Sequence, residues 1–308
     1  MKACVDIGGT KIAVSLNTGA GLDLVGKRSE PTAKTGSNDA VAQQVIRLVE
    51  EACAEIGIAP SRVQRVGVSS AGPFVLHGGL VELASPNICG GIAGPARGLP
   101  NDWMTATLEA PLRRRFTEGV RVENDAVSAL EAERRWGALQ GYEHCAYVTW
   151  STGVGMGLCV DGRVLRGKNG NAGHGGHMFV SDTDDALCGC GNVGDLEALV
   201  AGNAVARRFG ADAATLMQRA RAGDAEAIAR VDDLCRVMGR ALYNATVLLD
   251  LQRISLGGSV FLHNKDFLLP RLQAQLTGKM EALTNGCELV AAGLGDRVGD
   301  YAALALLV

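Results

Sequence analysis

The chain has 308 residues, of which 47% are hydrophobic and 20% charged, so it can bury the cores of about two domains and is not disordered throughout. Its net charge is −3 and no basic stripe stands out, which argues against a nucleic-acid partner held through its phosphates. No apolar stretch reaches the roughly 18 residues needed to cross a bilayer, and Asp6 comes too early for a signal peptide. We therefore expect a cytoplasmic protein without a nucleic-acid or membrane partner.

Strands and helices alternate along the first half of the chain. Strands are predicted over 3–6 and 12–16, joined by a glycine turn, and further strands over 66–70 and 120–123. A helix is predicted over 41–56, where apolar residues recur at helical spacing; Asn38 or Asp39 can cap its start, and Gly57 can end it. This alternation predicts a parallel or mixed sheet covered by helices.

The same pattern begins again near residue 145. Strands over 146–150 and 156–160 flank a second glycine-rich turn, and the pair Asp161-Gly162 predicts a hairpin turn after them. A long buried helix over 228–249 then leads into a strand over 253–258.

Both halves thus open with a strand, a turn of small residues containing a threonine, and a strand. This repetition predicts an α/β protein with duplicated domains, mixed sheets flanked by helices, and a cleft between the domains. We expect a smaller domain over 1–123, completed by a C-terminal helix over 298–308, and a larger domain over 124–297.

The first turn, Asp6-Ile7-Gly8-Gly9-Thr10-Lys11, combines an acid at a strand end with glycines whose bare backbone can reach a phosphate, a hydroxyl and a cation. It lacks the spacer and the second glycine of a Walker A loop, and alone it can be an ordinary hairpin. The related turn at Thr152-Gly153 favours a pair of loops that hold the phosphates of a nucleotide. A third turn, Gly257-Gly258, can bring backbone against an adenosine or can be a plain strand-to-helix turn.

The run Glu123-Asn124-Asp125 ends an apolar strand and precedes a helical stretch. One interpretation is an Asn/Asp cap on that helix. The other is that Asp125 is a general base, accepting the proton of a sugar hydroxyl as it attacks a γ-phosphate, while Asn124 hydrogen-bonds neighbouring hydroxyls.

The nine cysteines divide into two groups. Cys188 and Cys190 lie one residue apart in a glycine-rich polar stretch after His177, and an imidazole with two thiolates suits Zn²⁺, with Asp195 available as a fourth ligand. Five others lie in apolar runs, as buried thiols in a reducing compartment do: Cys4, Cys53, Cys145, Cys159 and Cys235.

Several spaced motifs resemble the ROK family (repressors, open reading frames and kinases), which belongs to the actin-like superfamily. The resemblance extends nearly from end to end. Its most specific parts are the runs Gly170-Asn171-Ala172-Gly173-His174-Gly175-Gly176-His177 and Cys188-Gly189-Cys190-Gly191-Asn192-Val193-Gly194-Asp195-Leu196-Glu197. It also includes Asp6 to Lys11, Ser70-Ala71-Gly72-Pro73, Ser85-Pro86-Asn87, Glu123-Asn124-Asp125 and Thr152-Gly153-Val154-Gly155.

The resemblance implies an actin-like (ribonuclease H-like) fold and phosphoryl transfer from ATP, with Mg²⁺, to the 6-hydroxyl of a hexose or amino-hexose. Asp125 matches the catalytic base, and Gly72 lies in the substrate loop. The sugar-binding positions of the family match Asn87, Asn124, His177 and Glu197. A homodimer or homotetramer is also implied.

Two residues depart from the family pattern. His174 stands where the family usually has Glu. Its imidazole offers a donor that a carboxylate lacks, and this donor can serve the acetamide of an N-acetylhexosamine, as in similar N-acetylmannosamine kinases. Alternatively, it simply replaces Glu on a glucose-type substrate. Asp195 stands at the family's third zinc cysteine; the set His177, Cys188, Cys190 and Asp195 can still bind Zn²⁺, with one thiolate exchanged for oxygen.

Two other interpretations stay open, and a third, a transcriptional regulator, is disfavoured. A sugar-sensing transcriptional regulator would need a DNA-reading helix-turn-helix, for which the first strand, starting by Ala3, leaves no room. A kinase-like shell could bind sugar without catalysis, and a true kinase could act on a less common amino sugar. The phosphoryl donor rests on the resemblance alone.

Overall fold

The computed structural model describes residues 1–19, 21–94, 97–116, 119–181 and 186–308. The chain divides into two compact units. The first comprises Met1–Ala132, Arg166–Ala172 and Arg297–Val308, and the second comprises Glu133–Leu165 and Gly173–Asp296. The first unit thus extends to Ala132, beyond residue 123, and it takes in a short segment from the middle of the chain.

The first unit contains a five-stranded mixed sheet. Its strands are β1 (Lys2–Ile7), β2 (Lys11–Asn17), β3 (Val25–Pro31), β4 (Arg65–Ser70) and β8 (Val120–Asn124). The spatial order is β3-β2-β1-β4-β8, and β2 is antiparallel to both β1 and β3 while β4 is parallel to both β1 and β8. A small antiparallel sheet is formed by β5 (Phe74–His77), β6 (Leu80–Leu83) and β7 (Ala106–Thr107).

The helices of this unit are α1 (Ala40–Glu55), α2 (Gly90–Ala93), α3 (Glu109–Arg115), α4 (Asp125–Trp136, in this unit up to Ala132) and α12 (Val298–Ala305). Helices α1, α3 and α12 pack against its strands. Helix α1 begins after Asp39, as the sequence predicts, but the Asp39 carboxylate accepts hydrogen bonds from the side chains of Ser37 and Gln43 rather than from the helix backbone. Helix α12 lies so close to β4 that a Cβ on Gly67 would be 2.1 Å from the carbonyl oxygen of Ala303.

The second unit repeats the first sheet. Its strands are β9 (Cys145–Trp150), β10 (Val154–Val160), β11 (Arg163–Val164), β12 (Arg253–Gly257) and β13 (Glu288–Ala291). The order β11-β10-β9-β12-β13 has antiparallel pairs on one side of β9 and parallel pairs on the other, as around β1. The matching order and directions confirm the predicted duplicated α/β fold.

Helices of the second unit surround this second sheet. They are α5 (Leu196–Val200), α6 (Gly202–Phe209), α7 (Ala213–Arg221), α8 (Ala225–Leu249), α9 (Ser259–Leu262), α10 (Lys265–Leu276) and α11 (Glu281–Thr284). The long helix α8 starts where Asp224 accepts hydrogen bonds from two backbone amides of its first turn, and it packs against α5, α7 and α10. Its buried face follows the apolar pattern that predicts it.

All nine cysteines lie in the described part of the chain, and none forms a disulfide. The five predicted from their apolar surroundings are buried, whereas Cys190 is exposed. Among the described residues, no helix combines the length and the apolar character that a membrane crossing requires.

Candidate active site

The β1–β2 turn of the first unit presents polar groups to solvent. The backbone amide of Gly8 donates to the carbonyl of Lys11 at 2.8 Å, which closes the turn. The hydroxyl of Thr32 donates to the carbonyl of Gly8 at 2.7 Å and holds the turn from the β3 side. Thr10 and Lys11 are exposed. A fixed backbone with a free hydroxyl and a free cation suits an anionic ligand such as a phosphate.

Asp6 lies at the end of β1, just before this turn. Burial raises the pKa of its carboxyl to about 6, and the negative charge of Asp125 adds to that rise, while Lys11 and a hydrogen bond from Ser69 oppose it. Asp6 and Asp125 therefore interact electrostatically within the first unit.

Asp125 is the first residue of α4 and is exposed. The helix amide of Ala126 donates to the Asn124 side-chain oxygen at 3.0 Å and to the Asp125 carboxylate at 2.8 Å. The hydroxyl of Ser128 donates to the Asn124 carbonyl at 2.9 Å. At the junction of β8 and α4, the side chains of Asn124 and Asp125 thus cap the helix while the Asp125 carboxylate faces solvent. The helix cap and the general base are therefore compatible interpretations.

The turn Ser85-Pro86-Asn87 contacts the β1–β2 turn. A Cβ on Gly9 would lie 2.6 Å from the Cβ of Asn87, so a glycine is required where the two turns meet. The side-chain oxygen of Asn87 accepts a hydrogen bond from Arg97. Asn87 therefore lies beside the candidate phosphate loop, a neighbourhood that the sequence does not predict.

A segment that sequence reasoning overlooked joins this unit from the middle of the chain. Asn171, in the segment Arg166–Ala172, accepts from the backbone amide of Phe74 at 2.8 Å and donates to its carbonyl at 2.7 Å. The paired amide contact fixes this segment beside Phe74, two residues after Gly72. The signature residue Asn171 was visible in the sequence, but its partner, 97 positions away, was not.

The β9–β10 turn of the second unit is braced by Glu197, from α5. Its carboxylate accepts the backbone amide of Val154 at 3.0 Å. A Cβ on Gly153 would lie 2.6 Å from the same carboxylate, which explains the glycine. The Ser151 hydroxyl lies 3.0 Å from that of Ser259.

The glycine-rich signature loop lies directly on β10. A Cβ on Gly173 would lie 2.0 Å from the carbonyl oxygen of Met156, and one on Gly176 would lie 2.2 Å from that of Val154. These contacts exclude side chains and hold the loop, with His174 and His177, against the strand. The centroids of the two imidazole rings are 6.2 Å apart.

The predicted metal ligands form one cluster in the second unit. The ligand atoms of His177, Cys188, Cys190 and Asp195 all lie within 4.8 Å of one another. His177 Nδ1 is 3.1 Å from Asp195 Oδ2 and 3.8 Å from Cys188 Sγ, and Cys190 Sγ is 3.5 Å from Asp195 Oδ2. Zinc bonds of about 2.0 to 2.3 Å give tetrahedral edges of roughly 3.3 to 3.8 Å, close to these three distances, so the donor types and their grouping suit Zn²⁺.

Asp195 has a second task. Its Oδ1 accepts the backbone amide of Ala198 at 2.8 Å and caps α5, which carries Glu197. Although burial raises the pKa of Asp195, hydrogen bonds from His177 and from the Ala198 amide lower it to about 2. The same contact with Asp195 raises the pKa of His177. The buried carboxylate is therefore kept anionic, as a metal ligand must be.

A cavity of 440 Å³ lies beside the β9–β10 turn. Thr152 is the one predicted nucleotide-binding residue that lines it, whereas Gly257 and Gly258 do not. Packing explains why both positions are glycine. A Cβ on Gly257 would lie 2.3 Å from the Tyr147 hydroxyl, and a Cβ on Gly258 would lie 2.5 Å from the Trp150 carbonyl oxygen. The sequence did not identify the other lining residues, which include Gly202, Asp212, Gln218, Arg221, Ser259 and Asn264.

The model of the ROK family matches residues 2–308. The chain belongs to the ROK family. It is 28% identical to a glucokinase of Aeropyrum pernix, covering 98% of this chain and 95% of that protein, and 34% identical to an N-acetylmannosamine kinase of Salmonella paratyphi A, covering 83% and 82%. It is similar to the solved ROK family glucokinase of Streptomyces griseus in complex with glucose and AMPPNP, with a TM-score of 0.70, 26% identity and 99% and 98% coverage. The predicted enzyme class, a sugar kinase, is confirmed.

Proposed function

We propose that this ROK sugar kinase transfers the γ-phosphoryl group of MgATP to the 6-hydroxyl of a hexose or amino-hexose, with Asp125 as general base. The observation that carries this proposal is the corner where β8 meets α4. Asp125 is exposed there, lies in the same unit as the Gly8–Lys11 turn, and interacts electrostatically with Asp6, just before that turn. The sugar oxygen bonds to the γ-phosphorus as the bond to the bridging oxygen of ADP breaks. Asp125 takes the hydroxyl proton.

Both glycine turns serve the nucleotide in this proposal. The exposed Thr10 and Lys11 provide a hydroxyl and a cation for phosphate oxygens, beside Asp6, Gly8 and Gly9. In the second unit, the cavity beside Thr152 has the size and mixed lining that a nucleoside needs. Gly153 directly follows Thr152, and Gly257-Gly258 directly precede Ser259; Thr152 and Ser259 both line the cavity. The AMPPNP complex of the Streptomyces griseus relative supports ATP as donor.

The sugar would be bound by the residues that the family resemblance implies. Asn87 and Asn124, with the backbone at Gly72, offer amide and carbonyl groups to hydroxyls, and His174, His177 and Glu197 offer imidazole and carboxylate groups. The donor on His174 supports an N-acetylhexosamine, whereas the glucokinase relative supports glucose. We keep both substrates in the proposal.

We also propose that the cluster of His177, Cys188, Cys190 and Asp195 binds a structural Zn²⁺. When bound, the ion would fix the loop and, through Asp195, the start of α5. His177 and Glu197 would then keep little conformational freedom, which favours specific sugar binding. By family resemblance the active form is a homodimer or homotetramer in the cytoplasm.

The test is a coupled assay of ADP release over glucose, mannose, glucosamine, N-acetylglucosamine and N-acetylmannosamine, for wild type and for His174→Glu. We expect sugar-dependent ADP release. If the imidazole serves an acetamide, His174→Glu lowers kcat/KM for N-acetylated sugars about tenfold or more relative to glucose, since a hydrogen-bond donor is lost. An unchanged ratio assigns a glucose-type role to His174. Absence of ADP release with every sugar contradicts the proposal and favours the catalytically silent sugar-binding alternative.

A further inference from the structure

Acidic side chains are concentrated at one end of the first sheet. In the parallel register, Asp6 of β1 pairs with Ser69 of β4, and Ser69 pairs with Glu123 of β8. Paired residues of neighbouring parallel strands point to the same face, so Asp6 and Glu123 lie on one face about 10 Å apart, two strand spacings. Asp125 follows Glu123 by two residues. This end of the sheet therefore carries a concentration of negative charge.

Arg166 lies against this acidic end. Its Nε donates to Glu123 Oε1 at 2.5 Å, and its Nη2 lies 3.4 Å from Glu131 Oε1. The two carboxylates are only 14% and 17% exposed, while the Arg166 side chain is 43% exposed, so the guanidinium bridges two half-buried acids from the solvent side. One guanidinium thus joins β8 to α4, the strand and the helix that meet at Asn124-Asp125.

The position of Arg166 is itself fixed. The amide of Ala172 donates to the Arg166 carbonyl at 3.0 Å, and Asn171 is held by the backbone of Phe74. The segment therefore presents the guanidinium from an ordered loop. A planar fork that reaches two carboxylates is a geometry that lysine cannot reproduce.

The charge balance depends on Arg166. Burial raises the pKa of Glu123, and the hydrogen bond and charge of Arg166 oppose that rise. The other charged groups that act on Asp6 and Glu123 within this unit are Lys11, Arg121, Asp125, Glu131 and Asp300. Without Arg166, the negative charge beside Asp125 would be less compensated.

We propose that Arg166 is a positioning residue for the general base: it bridges Glu123 and Glu131, fixes the β8–α4 corner that presents Asp125, and compensates the charge of Glu123. This inference rests on the proposed role of Asp125. Arg166 contacts neither reacting atom in this scheme and acts through the corner.

The test compares Arg166→Met and Arg166→Lys with wild type over pH 5 to 9, measuring kcat, the sugar KM and the thermal midpoint. Arg166→Met should lower kcat about tenfold and change the sugar KM less than twofold. Because an uncompensated Glu123 favours protonation of Asp125, the acid limb of kcat/KM should move to higher pH by roughly half to one unit. In Arg166→Lys, the acid limb of kcat/KM should return to its wild-type pH, because that position depends only on the positive charge. The value of kcat should recover incompletely, because lysine lacks the planar guanidinium that reaches two carboxylates.

Two further variants separate positioning from general stability. Arg113→Met removes a comparable ion pair, between Arg113 and Glu109 on α3, away from the acidic end, and should leave the pH profile unchanged. Adding Glu123→Gln to Arg166→Met should return the acid limb to its original pH. If Arg166→Met does not fold, Arg166→Lys and Glu131→Gln carry the test, because Glu131→Gln weakens only the helix end of the bridge and should lower kcat.

The outcomes distinguish the two proposals. If wild type is active and Asp125→Asn is not, but the Arg166 variants match wild type in kcat and pH profile, only the inference about Arg166 is overturned. A lower thermal midpoint with an unmoved acid limb overturns it as well. If wild type releases no ADP with any sugar, or Asp125→Asn retains full activity, the role of Asp125 fails and the inference falls with it.

Discussion

The two sheets share one topology but differ in the chemistry at the corresponding strand ends. In the first unit, Asp6 is paired with Ser69 and Ser69 with Glu123, and Asp125 follows. In the second unit, the corresponding pair is Thr149 with Gly257, which carry no charge. The first sheet thus carries acids at these strand ends, while the second borders a cavity. The comparison teaches that the duplicated scaffold sets positions and that the few residues at the strand ends set the chemistry.

The largest expected effect comes from replacing Asp125, the proposed general base in the first unit. Asp125→Asn should lower kcat by about 10²-fold or more, the scale of general-base catalysis, while sugar binding stays largely intact. ADP release and calorimetric sugar titration measure the two effects. Asp161→Asn is the control, since Asp161 carries an exposed carboxylate in a turn of the second unit. The φ angle of Asp161 is 52°, a conformation that asparagine tolerates. Equal losses in both variants would remove the special role of the first unit's acidic end.

A smaller effect is expected from the metal cluster, which only the second unit contains among the described residues. Asp195→Ala should abolish zinc retention, measured by metal analysis of the purified protein, and should weaken sugar binding. It should lower the thermal midpoint more than Asp224→Ala does, because that control removes a helix cap, worth about 1 kcal/mol, and a solvent-accessible ion pair with Arg219, which contributes little.

Chelator treatment sharpens this prediction. It should lower the thermal midpoint of wild type and of Asp224→Ala, but not that of Asp195→Ala. If the chelator changes neither the sugar affinity nor the thermal midpoint of the wild type, the cluster holds no structural metal.

The smallest effect concerns stability at the acidic end. The folded-state pKa of Asp6, about 6, lies above its ordinary value, so the folded protein holds this proton more tightly than the unfolded chain. Stability from this group is therefore greatest at low pH and is lost as pH rises through about 6. Asp6→Asn should accordingly raise the thermal midpoint relative to wild type by more at pH 8 than at pH 5. A difference independent of pH would contradict the raised pKa.

Local patterns predicted the elements that are regular in sequence. The hairpins β1–β2 and β9–β10 and the helices α1 and α8 follow from alternation, glycine turns and helical spacing, and they carry the duplicated fold. Strand β3 was missed because its polar and charged run, VGKRSEP, lacks the apolar face of a strand. Helices α5 to α7 are short and follow a long glycine-rich stretch, so their local signal is weak.

For the site, the sequence identified the residue types but not all their neighbours. The candidate metal-binding cluster was recognisable because its four residues lie close together in the chain. The contacts of Asn87 with Gly9, of Asn171 with Phe74, and of Arg166 with Glu123 depend on the folded chain. Such contacts leave no local periodicity to detect.

The interleaving of the two units has a consequence for biosynthesis. The second unit takes all its residues from Glu133–Leu165 and Gly173–Asp296, whereas the first needs Arg297–Val308, including the helix that packs against Gly67. During vectorial synthesis, the unit that starts first therefore finishes last. Its sheet stays uncovered on one flank until residues 297–308 have left the ribosome.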